Sequence, residues 1–423
     1  MTRNSSKYTF LDLFAGAGGL SEGFLQAGFQ PIAHVEADKA ACATLKTRQA
    51  YYWLKNNKKI DIYASYLKGM ITRDQLWSAV PSDILNTVIN EYISTETSDK
   101  IFNKIDYFLG EKNLDLIIGG PPCQAYSIIG RARRNMENDP RNHLYIQYAE
   151  FLKRYQPKYF VFENVLGLLS AKNLSGELYL EKMIKLFERV GYSIEFKTLN
   201  ASNFGVLQNR KRIILIGKKG KGHKSFYPEL QRTLDQAMVQ DALDDLPPLK
   251  AGEGSHLPCE ISKKQSNWLK QANVSTSLPV TWHQARPNIQ QDLEIYRIAV
   301  AKWNDESKRL NYNDLPESLK SHKVSGSFTD RFKVVSSNLE ASHTVVAHIC
   351  KDGHHYIHPD IDQNRSLTPR EAARLQTFPD DYFFESQSGK PSRTSAYKQI
   401  GNAVPVLLAY VIAKSMKDKL ENE

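Results

Sequence analysis

The sequence predicts an α/β protein in which a mostly parallel, doubly wound sheet is followed by a second, irregular domain. Three observations predict it. Short apolar runs recur with helical patterns between them, the first run ends in a glycine-rich turn, and past residue 225 the rhythm gives way to prolines and glycines without a period. With 423 residues, 41% hydrophobic and 24% charged, the chain can bury one large core or two medium ones, which excludes wholesale disorder.

The elements follow in order. Tyr8 to Phe14 is a buried-strand run leading into glycines, and Leu20 to Ala27 has helical spacing closed by Gly28. Strands are expected at Pro31 to Val35, Leu114 to Ile118, Tyr159 to Phe162 and Arg212 to Ile216, with helices at Leu144 to Tyr155 and Leu178 to Val190. The polar, Tyr-rich stretch from about Lys46 to Leu85 leans helical and reads as an insertion between strands. Prolines at 247, 248, 258, 279 and 287 punctuate the irregular domain, which runs from about Ser225 to Val345. Residues 346–365 connect it to a returning helical pattern, LTPREAARLQTF, and to a final apolar helix from Gln399 to Met416. Residues 1–224 and about 366–423 therefore form one domain, and about 225–345 the other.

Composition narrows the classes. No run approaches the roughly 20 apolar residues of a membrane helix, and the polar start resembles no signal peptide. Four scattered cysteines suit a reducing cytoplasm rather than a disulfide scaffold. The net charge of +10 points to a polyanionic partner, and its distribution is local. Residues 201–224 hold seven basic side chains (Arg210, Lys211, Arg212, Lys218, Lys219, Lys221, Lys224) and no acid, and Arg131, Arg133 and Arg134 make a second knot. From Ser225 to Glu340 the charge nearly cancels, 14 basic against 15 acidic.

Chemistry gathers at the ends of the expected strands. DLFAGAGGL ends a strand and opens a helix, where glycines let a ligand approach the backbone. Ser21 stands where a dinucleotide GxGxxG would need its third glycine, so a pyrophosphate fingerprint fails. Glu36 ends the next strand, where a carboxylate can grip ribose hydroxyls. S-adenosylmethionine (SAM), a nucleoside with a charged amino-acid tail, fits among nucleotide ligands. GGPPCQAYS follows the LDLII strand, and its two prolines fix a turn that presents Cys123 as a candidate nucleophile. Glu163 ends the YFVF strand as a candidate acid or hydrogen-bonding group. Arg210 and Arg212, alternating before RIILI, are expected on one face, fit to hold a phosphate and a base carbonyl.

In order, the blocks DLFAGAGGLSEGF, Glu36, GGPPCQAYS, FENV, QNRKR, LTPREAARLQTFPD and QIGNAVP resemble those of the cytosine-C5 DNA methyltransferases of bacterial restriction–modification type. The resemblance covers the chain apart from the insertion and the irregular domain. It implies a Rossmann-like SAM-dependent methyltransferase sheet with a target-recognition domain at about 225–345. It also implies methyl transfer from SAM, with no metal, to carbon 5 of a cytosine flipped out of duplex DNA. Cys123 would add to carbon 6, Glu163 would hold and protonate N3, Arg212 would contact O2, and Arg210 would lie near the nucleophile and a phosphate. The cofactor would meet Phe14, Gly16, Gly19, Glu36, Pro122, Leu144, Asn402 and Val404. DNA would meet Gln124, Ser127, Arg131, Arg133 and Gln208, with the loop Ile128 to Arg141 closing over the nucleotide. One departure stands out: Tyr92, in Val88-Ile89-Asn90-Glu91-Tyr92-Ile93, occupies the place of the family's adenine-contacting Asp. The expected setting is a monomer in the bacterial cytoplasm, paired functionally with a restriction endonuclease. An RNA (tRNA) cytosine methyltransferase of the same fold, a catalytically silent DNA-binding relative and a nicotinamide oxidoreductase are the competing readings. The retained Cys123 and Glu163, the long irregular domain and Ser21 weigh against them.

Overall fold

A computed structural model describes residues 8–122, 143–173, 175–232, 234–261, 264–321, 326 and 329–423. Within them the apolar runs become strands: β1 (Thr9–Leu13), β2 (Gln30–Glu36), β3 (Val88–Asn90), β4 (Leu116–Gly119), β5 (Tyr159–Val165), β6 (Tyr192–Asn200) and β7 (Lys211–Lys219). They form one sheet in the order β3-β2-β1-β4-β5-β7-β6. β1 to β5 pair in parallel, while β7 runs antiparallel between β5 and β6. The predicted doubly wound sheet is therefore present, with two strands the sequence pattern did not announce, β3 and β6.

Central strands are buried on both faces, which explains their continuous apolar runs. Successive residues feed opposite cores: Phe10, Leu116, Ile118 and Val161 face one, and Leu11, Leu13, Ile117 and Phe160 the other. The second face is covered by α6 (Ser98–Leu109), α7 (Leu144–Tyr155) and α8 (Tyr179–Arg189), through Ile101, Phe151, Met183 and Phe187. The first face takes α1 (Gly19–Gln26) and the C-terminal α13 (Val406–Glu421). A Cβ at Gly23 of α1 would lie 2.4 Å from the Tyr410 nitrogen, so glycine is what lets these helices touch.

The stretch read as an insertion begins inside α2 (Lys39–Asn56) and continues through α3 (Ile60–Leu67), α4 (Arg73–Ser78) and α5 (Ser82–Asn86). Buried Arg48 fixes it, donating to Glu22 (2.6 and 2.9 Å) and Asp381 (2.8 Å) with its guanidinium over the Tyr51 ring. The expected final helix is two: α12 (Arg393–Asn402) and α13, split at Ala403-Val404-Pro405. Before them, α11 (Pro369–Leu375) starts at a capping box in which Thr368 and Glu371 satisfy each other's backbone N–H groups.

Between β7 and α11 the described residues carry short 3₁₀ turns and two helices, α9 (Asn267–Gln271) and α10 (Gln290–Glu306). Tyr227, Val239, Trp268 and Trp282 share the core of α1 and α13. Ile295, Tyr296, Tyr312, Phe332 and Ile357 build a separate small core around α10. The direction of β7 divides the basic run 201–224. Lys211 and Arg212 lie opposite Asn200 and Val165 at the carboxyl edge of the parallel strands, while Lys218 and Lys219 lie opposite Tyr159 and Tyr192 at the other edge. No described helix is long and apolar enough to cross a membrane.

Burial pushes the imidazoles of His343 and His358 down to about 4. Groups depressed in the folded state and near 6.5 when unfolded stabilise neutral protein, and that stability is lost as pH falls from 6.5 toward 4. Each contributes on the order of 2 kcal/mol between pH 7 and 5. Burial raises Glu385 to about 6, a shift that works in the opposite sense and offsets part of the loss. The urea midpoint should accordingly fall between pH 7.5 and pH 5, and an unchanged midpoint would show that these histidines are not buried neutral.

Candidate active site

The site is built at the carboxyl edge of the parallel strands. After β1 the chain turns sharply, with φ of 58° at Phe14, 54° at Gly16 and 83° at Gly18, before α1 begins. The Gly16 N–H donates to Glu36 Oε2 and the Asp38 N–H to Oε1, each at 2.7 Å. The carboxylate at the end of β2 thus ties the glycine turn to the β2–α2 turn. Burial pushes the Glu36 carboxyl up, against the lowering effect of these two N–H bonds. Asp38 caps α2 through the Ala40 and Ala41 N–H groups and accepts from Lys398 of α12 at 2.8 Å. Burial would raise Asp38, but the Lys398 and N–H bonds outweigh it and hold it below the usual carboxylate range.

At the other end stands Glu163 on β5, whose Oε1 lies 2.7 Å from Arg212 Nε on β7. Both are mostly buried, at 14% and 13% exposure. Because Val165 pairs with Arg212 and Glu163 with Ile214, the two side chains meet diagonally across the β5–β7 ladder. Gly120 makes room for the carboxylate: a Cβ there would lie 2.6 Å from Glu163 Oε2.

One cavity of about 340 Å³ joins the two ends. Phe14, Gly16 and Glu36 from the β1 and β2 edge, Glu163 and Arg212 from β5 and β7, Pro121, Pro122 and Leu144, and Asn402 of α12 all line it. Among the described residues its charged lining is four carboxylates (Glu36, Asp38, Glu91, Glu163) against two cations (Arg212, Lys398), an excess of two acidic groups. Such a lining disfavours a pyrophosphate and favours a ligand with an apolar ring, hydroxyls and positive charge.

Eight of the residues singled out from the sequence therefore line one cavity: Phe14, Gly16, Glu36, Pro122, Leu144, Asn402, Glu163 and Arg212. Gly19 and Val404 do not. A Cβ on Gly19 would lie 2.4 Å from the Val404 carbonyl oxygen, so this pair seats α1 against the α12–α13 junction behind the cavity. Arg210 departs from its expected place beside Arg212. Fully buried, it donates to the carbonyls of Val345 (2.7 Å) and Gly401 (3.2 Å). It precedes the first residue of β7, so strand alternation does not govern it. Gln208, expected on the DNA face, is also fully buried: its amide donates to Leu375 O (2.6 Å) and accepts from the Val345 N–H (3.0 Å). Cys123, Gln124, Ser127, Arg131 and Arg133 lie outside the described residues. Sequence reasoning missed Asp38 and Lys398. Tyr92 and Ile93 both line the cavity, with Tyr92 at 43% exposure.

The sequence model of the C-5 cytosine-specific DNA methylases matches residues 8–83 and 80–418. The chain belongs to that family. It is 38% identical over 96% of its length, and 98% of the relative's, to the type II methyltransferase M.Bpa9945I of Bacillus paralicheniformis. It is 32% identical to M1.HphI of Haemophilus parahaemolyticus, over 98% of this chain and 88% of the other. Among solved structures, a DNA modification methyltransferase encoded within an E. coli prophage shares the fold, with TM-score 0.61, 23% identity, and 99% and 100% of the two chains covered. The protein is thus a DNA cytosine-5 methyltransferase by family, and its sheet is the Rossmann-like methyltransferase sheet.

Gly120→Ala should displace the Glu163 carboxylate while leaving the fold intact. Methylation should fall by at least about tenfold, the loss of one charge-assisted hydrogen bond of about 1.5–3 kcal/mol, with the melting temperature nearly unchanged. Full activity in that variant would show that the Glu163 position does not matter to turnover.

Proposed function

We propose that this methylase transfers a methyl group from SAM to carbon 5 of a flipped-out cytosine in a specific duplex site, through a covalent Cys123 adduct. The observation that carries the reading is one cavity lined by both the Gly16–Glu36 pair and the Glu163–Arg212 pair, with Pro122, the residue before Cys123, in the same lining. Bound SAM supplies an electrophilic methyl group on a sulfonium. Its fit is supported by the excess negative charge of the lining, by Glu36 for ribose hydroxyls and by the Phe14 ring for adenine. Tyr92, in place of the usual Asp, gives the adenine an aromatic edge rather than a carboxylate.

The chain's own groups account for the rest. Cys123, as thiolate, forms a bond from sulfur to carbon 6, and the electron pair of the C5–C6 bond becomes available at carbon 5. Glu163, entering the reaction with its carboxyl protonated, gives that proton to N3 as charge builds in the ring, and Arg212, 2.7 Å from Glu163, would meet O2. Once carbon 5 carries the methyl group, its proton passes to solvent water, the C5–H electron pair re-forms the C5–C6 double bond, the sulfur–carbon bond breaks with its pair leaving on the Cys123 thiolate, and N3 returns its proton to Glu163. Residues 1–224 and 366–423 carry this chemistry. Target reading falls to about 225–345, where α10 packs against a small hydrophobic cluster distinct from the main core. Since the relatives are named type II methyltransferases, the biological role proposed is protection of cytoplasmic host DNA. The protein would act as a monomer beside a separate endonuclease.

Target duplex carrying 5-fluorocytosine should trap a denaturant-stable adduct, because fluorine cannot leave carbon 5 as the proton does. Cys123→Ser should form no adduct and no 5-methylcytosine yet still bind SAM in calorimetry. A trapped band in the Cys123→Ser variant, or none in the parent, would overturn the covalent route.

A further inference from the structure

The basic run that the sequence presents as one cluster is divided by β7. Lys211 and Arg212 belong to the catalytic edge, but Lys218, Lys219, Lys221 and Lys224 lie at the opposite edge of the sheet. From Arg212 to Lys219 the strand covers about 23 Å, at about 3.3 Å per residue. There a cleft of about 590 Å³ is lined by Lys185 and Arg189 of α8 and by Lys221, His223 and Lys224, against one acid, Glu188.

The loop that carries these lysines is pinned. Ser193 accepts from the His223 N–H (3.0 Å) and donates to the Gly220 carbonyl (2.9 Å). Both oxygens of Glu195 accept backbone N–H groups, from Ser225 and Tyr227, at 2.6 Å each. That carboxylate is therefore spent on loop geometry rather than on neutralising a lysine. Among the described residues, Arg189, Lys219, Lys221 and Lys224 are exposed and make no ion pair, whereas Lys185 pairs with Glu177 and Lys218 with Glu423.

We propose that this face binds a second segment of duplex DNA through its phosphates, separately from the segment in the catalytic cleft. The proposal rests on the DNA-methylase reading above. Exposed cations on a held loop, with Tyr192 buried and no exposed Phe, Tyr or Trp among the described residues of the cleft, match phosphates rather than stacked bases. A duplex with a persistence length of about 50 nm does not fold around a sheet this thin, so the segment on the back face is a different one. The enzyme would then pass between DNA segments while bound to both.

The test uses the full chain trapped on a 5-fluorocytosine target duplex, titrated with a short fluorescent duplex that contains no cytosine. The trapped complex should bind this second duplex. The quadruple variant Arg189→Glu, Lys219→Glu, Lys221→Glu, Lys224→Glu should bind it at least about tenfold more weakly, with the slope of log affinity against log salt reduced by about 3 to 4. Methylation of a short target duplex should be unchanged. The milder Lys221→Gln, Lys224→Gln pair, at two exposed positions, should show a smaller loss in the same direction. The proposal fails if the trapped complex takes no second duplex, if the variants bind it as the parent does, or if they lose methylation of the short target as well. Absence of any adduct would instead reject the covalent route. The surface would then be judged on untrapped protein, where equal binding of the cytosine-free duplex by parent and quadruple variant overturns it.

Discussion

The structure turns on the antiparallel placement of β7 beside β5. Had β7 joined in parallel, Arg212 would not lie diagonal to Glu163, and the mostly buried carboxylate would face the cavity without its cation. Removing one member of a buried pair costs about 3–5 kcal/mol, because the remaining charge is stranded. The register Val165 to Arg212 settles this pairing at the mouth of the sheet. The same reversal carries the following lysines to the far edge, so one topological choice separates two kinds of positive charge that are adjacent in sequence.

The rest of the cavity depends on the end of the chain returning to its beginning. Lys398, Gln399 and Asn402 come from α12, yet they line a pocket whose other wall begins at Phe14. Buried polar bonds hold this wall: Tyr382 donates to the Ala17 carbonyl (2.5 Å), Thr44 to Gln399 (2.6 Å), and Tyr66 to Glu385 (2.6 Å). Arg48, with Glu22 and Asp381, closes the network. Buried polar groups satisfied in this way specify one arrangement, since any other leaves charges unpaired at low dielectric. The helices α2 to α4 thus act as a clamp on the segment that precedes α12.

Much of this was legible in the sequence because central parallel strands and strand-end residues leave local signals. TFLDL, LIIG, YFVF and IILI are apolar runs buried on both faces, and the cavity residues Phe14, Glu36, Pro122 and Glu163 sit where such runs stop. β6, YSIEFKTLN, was not legible, for as an edge strand it is half exposed and alternates with polar residues. β3 is only three residues long. Arg210 and Gln208 misled because residue type says nothing of whether a guanidinium or an amide meets solvent or a buried carbonyl. Asp38 and Lys398 form their ion pair across 360 residues of chain, a distance that no local pattern spans.

The close approach of α1 and α13 at Gly23 has a bearing on how the chain is made. The face of α1 that carries Gly23 emerges long before Ala409 and Tyr410, which pack against it and follow it by more than 380 residues of chain. A nascent chain on the ribosome therefore leaves that face uncovered until α13 has been made. Premature termination before α13 would yield a sheet with one open flank, prone to self-association rather than to partial activity.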